Sequence, residues 1–141
     1  MSVTFLFILD TNVIVSAFLN PKGIPGEILS LVLTKRLTLC YDNKIFSEYT
    51  EVLTRSKFDF DLELVNDFLE FVKNTGEYIV AESQKIKFTD EDDKIFYDVY
   101  KSSEAEYLLT GNAKHYPQEK NIITPNEFKK KSKQFHNAAS E

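Results

Sequence analysis

Two kinds of hydrophobic pattern alternate along the chain. Short, continuously apolar runs that are rich in branched and aromatic residues predict buried strands. These predicted strands cover residues 5–9, 37–41, 78–80, 106–109 and 122–123. Longer segments, in which apolar residues recur with a period of about 3.6 residues, predict helices between the strands. The predicted helices cover residues 43–54 and 61–74, and others begin near Pro25, at residues 90–93 and near Pro125.

The order of these elements predicts the fold class. Strands that alternate with helices are typical of a parallel sheet covered by helices on both faces, so we predict an α/β fold. The segment at residues 12–19 is ambiguous by propensity. If it is helical, it groups four residues on one face, namely Val13, Ser16, Ala17 and Asn20.

Length and composition fit one domain with an ordinary core. The chain has 141 residues, of which 43% are hydrophobic and 28% charged. We assign residues 1–132 to this domain and expect residues 133–141 to form a flexible C-terminal tail. Cys40 is the only cysteine, which excludes an internal disulfide and a Cys-based zinc site, and we expect it to be a core residue.

The net charge and the hydropathy of the chain disfavour some classes of protein. The net charge of −5 disfavours a protein that coats nucleic acid by bulk electrostatics, although it allows an enzyme that holds nucleic acid at one site. Residues 1–4 carry no basic group and Asp10 interrupts the apolar run that follows, so we expect no signal peptide. No apolar stretch approaches the roughly 20 residues that span a bilayer. We therefore expect a cytoplasmic protein that does not associate with membranes.

Acidic side chains fall where a parallel sheet would place a site. Asp10 ends the first predicted strand, and Asp93 lies in the first turn of the helix that precedes the strand at 106–109. Asn112 directly follows that strand. Because ligands of open α/β sheets bind at the carboxyl ends of the strands, these residues can converge there, with Glu48 reaching in from its helix. Asp92 is the alternative to Asp93 if the register is shifted by one.

This group of oxygen ligands predicts metal chemistry. Carboxylates that converge in a poorly solvated cleft repel one another, and a bound divalent cation removes that repulsion. Oxygen ligands alone favour Mg²⁺ or Mn²⁺ over zinc. Such a cation can hold a phosphate oxygen and lower the pKa of a bound water. The residues therefore indicate a metal-dependent phosphodiester hydrolase.

Four segments of the chain resemble a known family. They are ILDTNVIVSAFL, IFSEYTEVLTRSKF, DEDDKIFYDVYKSSEAEYLLTGNAKHYP and IITPNEF, in this order between residues 5 and 128. The set resembles PIN-domain proteins and is most similar to the PIN-family toxins of bacterial toxin–antitoxin systems, kin of the VapC ribonucleases. The resemblance implies a PIN-like three-layer α/β/α fold with a central parallel sheet. It also implies Mg²⁺- or Mn²⁺-dependent endoribonuclease activity on RNA and a homodimer held by a protein antitoxin.

The resemblance also implies roles for individual residues. Asp10, Glu48 and Asp93 match the family's acids, which are catalytic and bind the metal. Asn112 stands where a fourth acid usually follows the TG pair, so we expect it to complete the catalytic site as a neutral ligand. A site with three formal negative charges instead of four would bind a second cation weakly or not at all. His115 is a candidate for contacting a phosphate or transferring a proton.

Several neighbouring residues are expected to support this site. The residues expected to position the acids or the substrate are Thr11, Asn12, Ser16, Thr110 and His115. The cations available to an RNA backbone are Arg55, Lys57, Lys114 and the run KKKSK at 129–133. Phe58 and Phe60, in a loop that looks exposed, are expected to form a partner surface for an antitoxin.

Two other functions stay open at this point. The first is a metal-dependent phosphatase or phosphotransferase for a small molecule, which would cleave small phosphate esters and leave RNA whole. The second is a catalytically weak PIN module that binds RNA or a protein partner, because Asn112 supplies no charge. Metal-induced stabilisation separates the second from an enzyme, since stabilisation by a ligand requires a site.

Overall fold

The structure of the protein, a computed structural model, describes residues 4–132. The predicted flexible tail at 133–141 lies outside the described residues, as does Lys133 of the basic run. Residues 1–3, on which the expectation of no signal peptide partly rests, also lie outside them. No helix within residues 4–132 combines the length and apolar character that crossing a membrane requires.

A single parallel sheet organises the described chain. Its strands are β1 (Phe5–Leu9), β2 (Leu37–Tyr41), β3 (Glu77–Tyr78), β4 (Tyr107–Leu109) and β5 (Ile122–Ile123). They lie side by side in the order β3-β2-β1-β4-β5. β1 is central, with Phe5 opposite Leu37 of β2 and Leu9 opposite Leu109 of β4. The chain moves outward from β1 in both directions, so the carboxyl ends of β1 and β4 form the switch point where α/β sheets bind ligands.

Helices connect the strands. They are α1 (Thr11–Leu19), α2 (Ile24–Leu33), α3 (Asn43–Leu53), α4 (Leu62–Thr75), α5 (Glu91–Ser102) and α6 (Pro125–Lys131). Their starts follow local sequence signals, since Asp42, Asp61 and Asp90 each accept a hydrogen bond from a backbone N–H of the first turn. Thr124 and Glu127 form a capping box at α6. The predicted three-layer α/β fold is confirmed.

The core lies around the central strands. Side chains of β1, β2 and β4 are fully buried, among them Phe7, Ile8, Leu39 and Leu108. Cys40 is also fully buried, as predicted. Burial, followed by the nearby charge of Glu77, raises the pKa of its thiol to about 12, so the thiol stays protonated.

The ambiguous segment is helical, but the predicted grouping of its residues is wrong. Val13 and Ala17 of α1 are buried, whereas Ser16 and Asn20 are exposed. Ile14 completes the buried face instead. Because successive helical residues are about 100° apart, the core-facing stripe is centred between Val13 and Ile14 and leaves Ser16 on its outer side.

The edge strand β3 is shorter and earlier than the apolar run predicts. It covers Glu77–Tyr78, and Val80 is 84% exposed. The backbone N–H of Ile79 still donates to the carbonyl of Tyr41, 2.8 Å away, after which the chain leaves the sheet. An edge strand is paired on one side only, so few hydrogen bonds extend it.

The long segment between β3 and α5 is anchored by a buried ion pair that the sequence pattern does not indicate. Lys94 Nζ lies 3.0 Å from Asp98 Oδ2 and donates to Ser83 Oγ at 2.8 Å. The backbone N–H of Gln84 donates to Asp98 Oδ1 at 2.9 Å. A lysine and an aspartate four residues apart are typical of an exposed helical face. Here they hold the loop against α5 and thereby fix the start of α5.

The loop before α4 is less exposed than its sequence suggests. Phe58 and Phe60 are partly buried and stack with ring centroids 5.2 Å apart and an interplanar angle of 5°. Phe60 also packs on Phe18 of α1 at 5.2 Å. Asp59 between them has a φ of 50°, a left-handed conformation that aspartate tolerates.

Candidate active site

Asp10 occupies the centre of the carboxyl edge of the sheet. It follows β1 directly, precedes the first turn of α1, and is only 4% exposed. Its Oδ2 accepts a hydrogen bond from Thr110 Oγ1 at 2.9 Å and another from the Tyr116 hydroxyl at 2.8 Å. Its backbone N–H donates to the carbonyl of Leu109 at 2.9 Å. Asp10 therefore joins the ends of β1 and β4.

The environment of Asp10 opposes its charge. Burial raises the pKa of the Asp10 carboxyl, while hydrogen bonds from Tyr116 and Thr110 and the nearby backbone N–H groups of Asn12 and Thr11 act in the opposite direction. The effect of burial is the larger one. A carboxylate in this situation gains more from a nearby cation than an exposed carboxylate does.

Asp93 lies close to Asp10 from the other side. It sits in the first turn of α5 and is 8% exposed. Burial, and then the charges of Asp10 and Asp90, raise the pKa of Asp93 to about 6, and His115 opposes the shift. His115 Nδ1 lies 3.5 Å from Asp93 Oδ2. Two acids that we expect at the site are thus coupled electrostatically, and His115 is beside one of them.

Glu48 is the third acid of the group. It is half-buried on α3, and burial, followed by the charges of Asp92 and Glu51, raises its pKa. The charge of Asp10 acts in the same direction, and that of Arg55 opposes it. Asp93 is the buried acid beside Asp10, whereas Asp92 is exposed and acts on Glu48.

The carboxyls of Asp10, Glu48 and Asp93 form one electrostatic cluster, because the charge of Asp10 raises the pKa of both others. Within residues 4–132, no three His, Cys, Asp or Glu side chains are close enough as they stand to coordinate one cation. The donor chemistry nevertheless fits Mg²⁺ or Mn²⁺. Mg²⁺ is usually bound by one or two carboxylates and keeps several of its waters, so it does not need a complete protein cage.

Hydrogen bonds hold the loop after β4 against the start of α1. Asn12 Oδ1 accepts from the backbone N–H of Gly111 at 2.9 Å. A Cβ added at Gly111 would lie 3.3 Å from that oxygen, so the approach favours glycine. The fully buried Thr110 donates to Asp10 and accepts from the backbone N–H of Asn112 at 3.0 Å. Asn12 and Thr110 thus connect the loop after β4 to the start of α1 and to Asp10.

Asn112 lies at the same edge with an exposed side chain. Among the described residues it makes no side-chain cap to the short 3₁₀ turn Ala113–His115 that follows it. Its backbone carbonyl accepts from the N–H of His115 at 2.9 Å. The structure therefore leaves the Asn112 amide available to solvent or ligand.

The other residues predicted to support the site differ in their exposure and in their partners. Ser16 is exposed on α1 and does not share the buried face. Thr11 is buried, and its hydroxyl has no hydrogen-bond partner within residues 4–132. Arg55 pairs with Glu51, with its Nε and Nη2 at 3.1 and 2.7 Å from the carboxylate oxygens. Lys114 is exposed in the 3₁₀ turn.

Two tyrosines at this edge are not among the predicted site residues. Tyr116 donates to Asp10, and burial and the charge of Asp10 raise the pKa of its hydroxyl far above the usual value. Tyr49 of α3 is fully buried and donates to the carbonyl of Leu9 at 2.5 Å. In a chain with 12 Phe and 7 Tyr, an aromatic residue indicates the core before it indicates a site. Tyr116 lies seven residues after Leu109, the last residue of β4, and no local pattern there distinguishes it from a core aromatic.

A cavity of about 450 Å³ adjoins the site. Its lining includes Lys114, Tyr116, Gln118, Lys120, Ile122 and Ile123. Tyr116 lines the cavity, and its hydroxyl donates to Asp10. The cavity is of a size that binds small ligands or parts of larger ones.

Comparison with known proteins gives two findings. The family model described as PIN domain matches residues 7–114. The chain is also similar to the uncharacterized protein MJ1680 of Methanocaldococcus jannaschii, with 31% identity over 108 residues, which are 74% of this chain and 69% of that protein. The matched range includes Asp10, Glu48, Asp93 and Asn112 but ends before His115 and Tyr116.

The raised pKa of Asp93 predicts a pH dependence of stability. Between about pH 4 and about pH 6 the folded state binds a proton at Asp93 that the unfolded chain releases, so the free energy of unfolding falls as pH rises through this window. Above that window, Asp93→Asn should raise the free energy of unfolding, because it removes a charge that is unfavourable in the folded state. We expect a gain of about 1 kcal/mol, since solvent screens part of the unfavourable interaction. Urea titrations in EDTA across this pH range measure the effect. Asp67→Asn, an exposed acid on α4, is the control. If the free energy of unfolding changed equally with pH in wild type and Asp93→Asn, the prediction would be contradicted.

Proposed function

Since this chain belongs to the PIN-domain family, whose members are generally nucleases, we propose that it is a metal-dependent endoribonuclease. It would hydrolyse RNA phosphodiester bonds with Mg²⁺ or Mn²⁺, because PIN domains typically use divalent metal ions. The observation that supports the proposal most is the coupled cluster of Asp10, Glu48 and Asp93 at the switch point of the sheet. Three carboxyls whose pKa values are raised together favour a cation among them.

The residues of such a site would have different roles. Asp10, Asp93 and Glu48 would hold the cation, which when bound lowers the pKa of a coordinated water and offsets charge on the phosphate. Asp10 is the most buried and most firmly held of the three. Glu48 is half-buried, so an attacking water can reach its carboxylate, which can accept a proton from that water. Asn112 would contribute a neutral oxygen at the same edge.

Cations around the cluster support an RNA backbone as the substrate. Lys114 and Lys120 line the cavity beside Tyr116 together with Glu119 and Glu127, and neither lysine forms an ion pair within the described residues. Arg55 lies near Glu48, whose pKa its charge lowers, but Glu51 binds its guanidinium. Because an exposed ion pair contributes little free energy, a phosphate can displace Glu51. Lys114 and Arg55 flank the acids and are the proposed RNA contacts.

Cleavage of a labelled RNA tests the proposal. We expect cleavage by the wild-type protein with Mn²⁺ or Mg²⁺ and none in EDTA. Asp10→Asn should lower the rate at least about 100-fold, which corresponds to the loss of roughly 3 kcal/mol of transition-state stabilisation. Asp67→Asn, an exposed acid on α4, should cleave like wild type. Folded wild-type protein that cleaves no RNA with either metal would overturn the proposal, as would cleavage of small phosphate esters alone.

A catalytically weak binding module is the second candidate, and Asn112 is the observation that favours it. An amide supplies an oxygen ligand without charge, and no complete cation cage is present within residues 4–132. We expect Asn112→Asp to tighten Mn²⁺ binding about tenfold, because it adds a fourth negative charge close to the cation. Isothermal titration with Mn²⁺ measures the change, and Asn66→Asp on the exposed face of α4 is the control. RNA cleavage gained only in Asn112→Asp would favour the binding module.

From the resemblance, we further propose that the protein is a toxin that acts as a homodimer and is held by an antitoxin. Induced expression should then arrest bacterial growth, and Asp10→Asn should relieve the arrest because it removes the nuclease activity. Co-expression of a protein from the neighbouring gene should also relieve it. The stacked pair of Phe58 and Phe60 is the proposed antitoxin contact. Normal growth with the folded wild-type protein would count against the toxin role. Antitoxin binding that survives serine at both positions would count against that surface.

A further inference from the structure

We infer that Tyr116 is a positioning residue for Asp10, and that its hydroxyl, together with that of Thr110, fixes the carboxylate in the orientation that a divalent cation requires. The inference rests on the proposed function, which assigns Asp10 to the cation. Tyr116 lies outside residues 7–114, the range that the PIN-domain model matches.

Both hydroxyls donate to the same oxygen. Thr110 Oγ1 lies 2.9 Å and the Tyr116 hydroxyl 2.8 Å from Asp10 Oδ2. No side chain among residues 4–132 donates a hydrogen bond to Oδ1 of Asp10, although the backbone N–H groups of Thr11 and Asn12 also stabilise the carboxylate. One hydrogen bond leaves a carboxylate able to turn about its Cβ–Cγ bond, whereas two donors on different segments hold one oxygen in place. The other oxygen of the carboxylate, Oδ1, is then also held in one orientation.

The two donors are themselves held. Thr110 is fully buried at the end of β4, and its backbone N–H donates to the carbonyl of Ile123 in β5 at 3.0 Å. The ring of Tyr116 is 6% exposed and packs edge-on against Phe88, with centroids 5.6 Å apart and an angle of 82°. Phe88 belongs to the segment that the Lys94–Asp98 ion pair fixes to α5. Each hydroxyl therefore reaches Asp10 from a rigid neighbour.

The two donors also stabilise the ionised form of Asp10 in the absence of a cation. Hydrogen bonds from a hydroxyl to a carboxylate are charge-assisted and stronger than neutral ones. They act against the burial that disfavours the ionised form of Asp10, and both act on the same oxygen, Oδ2. Partners that orient a metal ligand in this way typically change metal affinity about 10–100-fold. A phenylalanine at position 116 would preserve the packing against Phe88 and lose only the hydroxyl.

The test compares Mn²⁺ affinity in matched tyrosine variants of the full chain. Electron paramagnetic resonance of free Mn²⁺ gives the dissociation constant without any RNA. We expect Tyr116→Phe to bind Mn²⁺ about tenfold more weakly than wild type. The control is Tyr97→Phe, because Tyr97 is also buried and packs on Phe88, but donates to a carboxylate that the proposal does not assign to the cation, Glu119 Oε2 at 2.6 Å. A merely structural hydroxyl would lower thermal stability in both variants and leave Mn²⁺ affinity equal.

A second variant tests the same inference if Tyr116→Phe folds poorly. Thr110→Val keeps the shape of Thr110 and removes the other donor, together with the acceptor of the Asn112 backbone N–H, so we expect a loss of Mn²⁺ affinity at least as large. Wild-type affinity in folded Tyr116→Phe and Thr110→Val would overturn the inference and leave the proposed function intact. A wild-type protein that binds no Mn²⁺ would overturn the inference together with its premise. Weaker binding in both variants, with Tyr97→Phe unchanged, would support the inference.

Discussion

The burial of one carboxylate, that of Asp10, is the constraint on which the rest of the site depends. Asp10 is placed in the interior because it follows the central strand of a parallel sheet, where both faces are covered by helices. A charge in such a place is unfavourable unless hydrogen bonds or an ion compensate it. Thr110 and Tyr116 supply hydrogen bonds. Because Asp93 and Glu48 add negative charge, the compensation that remains must come from protonation or from the cation of the proposed function.

The sheet topology explains why distant segments supply these groups. β1 pairs with β4 although about 100 residues separate them, so Thr110 reaches Asp10 directly. The loop after β4 returns beside the same edge and brings Tyr116 and His115. α5 precedes β4 and begins at this edge, which places Asp93 close to Asp10. One switch point therefore gathers the acid cluster and the hydroxyls that orient it.

Sequence patterns predicted the strands and most helix starts because each depends on local signals. The apolar runs, Pro25, Pro125 and the capping residue Thr124 act within a few positions of themselves. The acids could be proposed because strand ends in such sheets share an edge. Tyr116, by contrast, could not be distinguished from a core aromatic, since its role depends on a contact across 106 positions. The burial of Lys94 with Asp98 depends on the loop that covers them, which no helical pattern contains.

The amide at Asn112 can be understood from the same charge balance. A fourth carboxylate would attract a cation more strongly, but it would also repel Asp10, Glu48 and Asp93 whenever the cation is absent. The pKa values of these three acids are already raised, so further repulsion would favour protonation, which competes with the metal. Orienting hydroxyls strengthen a metal ligand without adding charge. In the proposed function, a site with three acids, an amide and two hydroxyl donors would therefore gain cation affinity from the orientation of its ligands, whereas a fourth acid would add affinity through its charge.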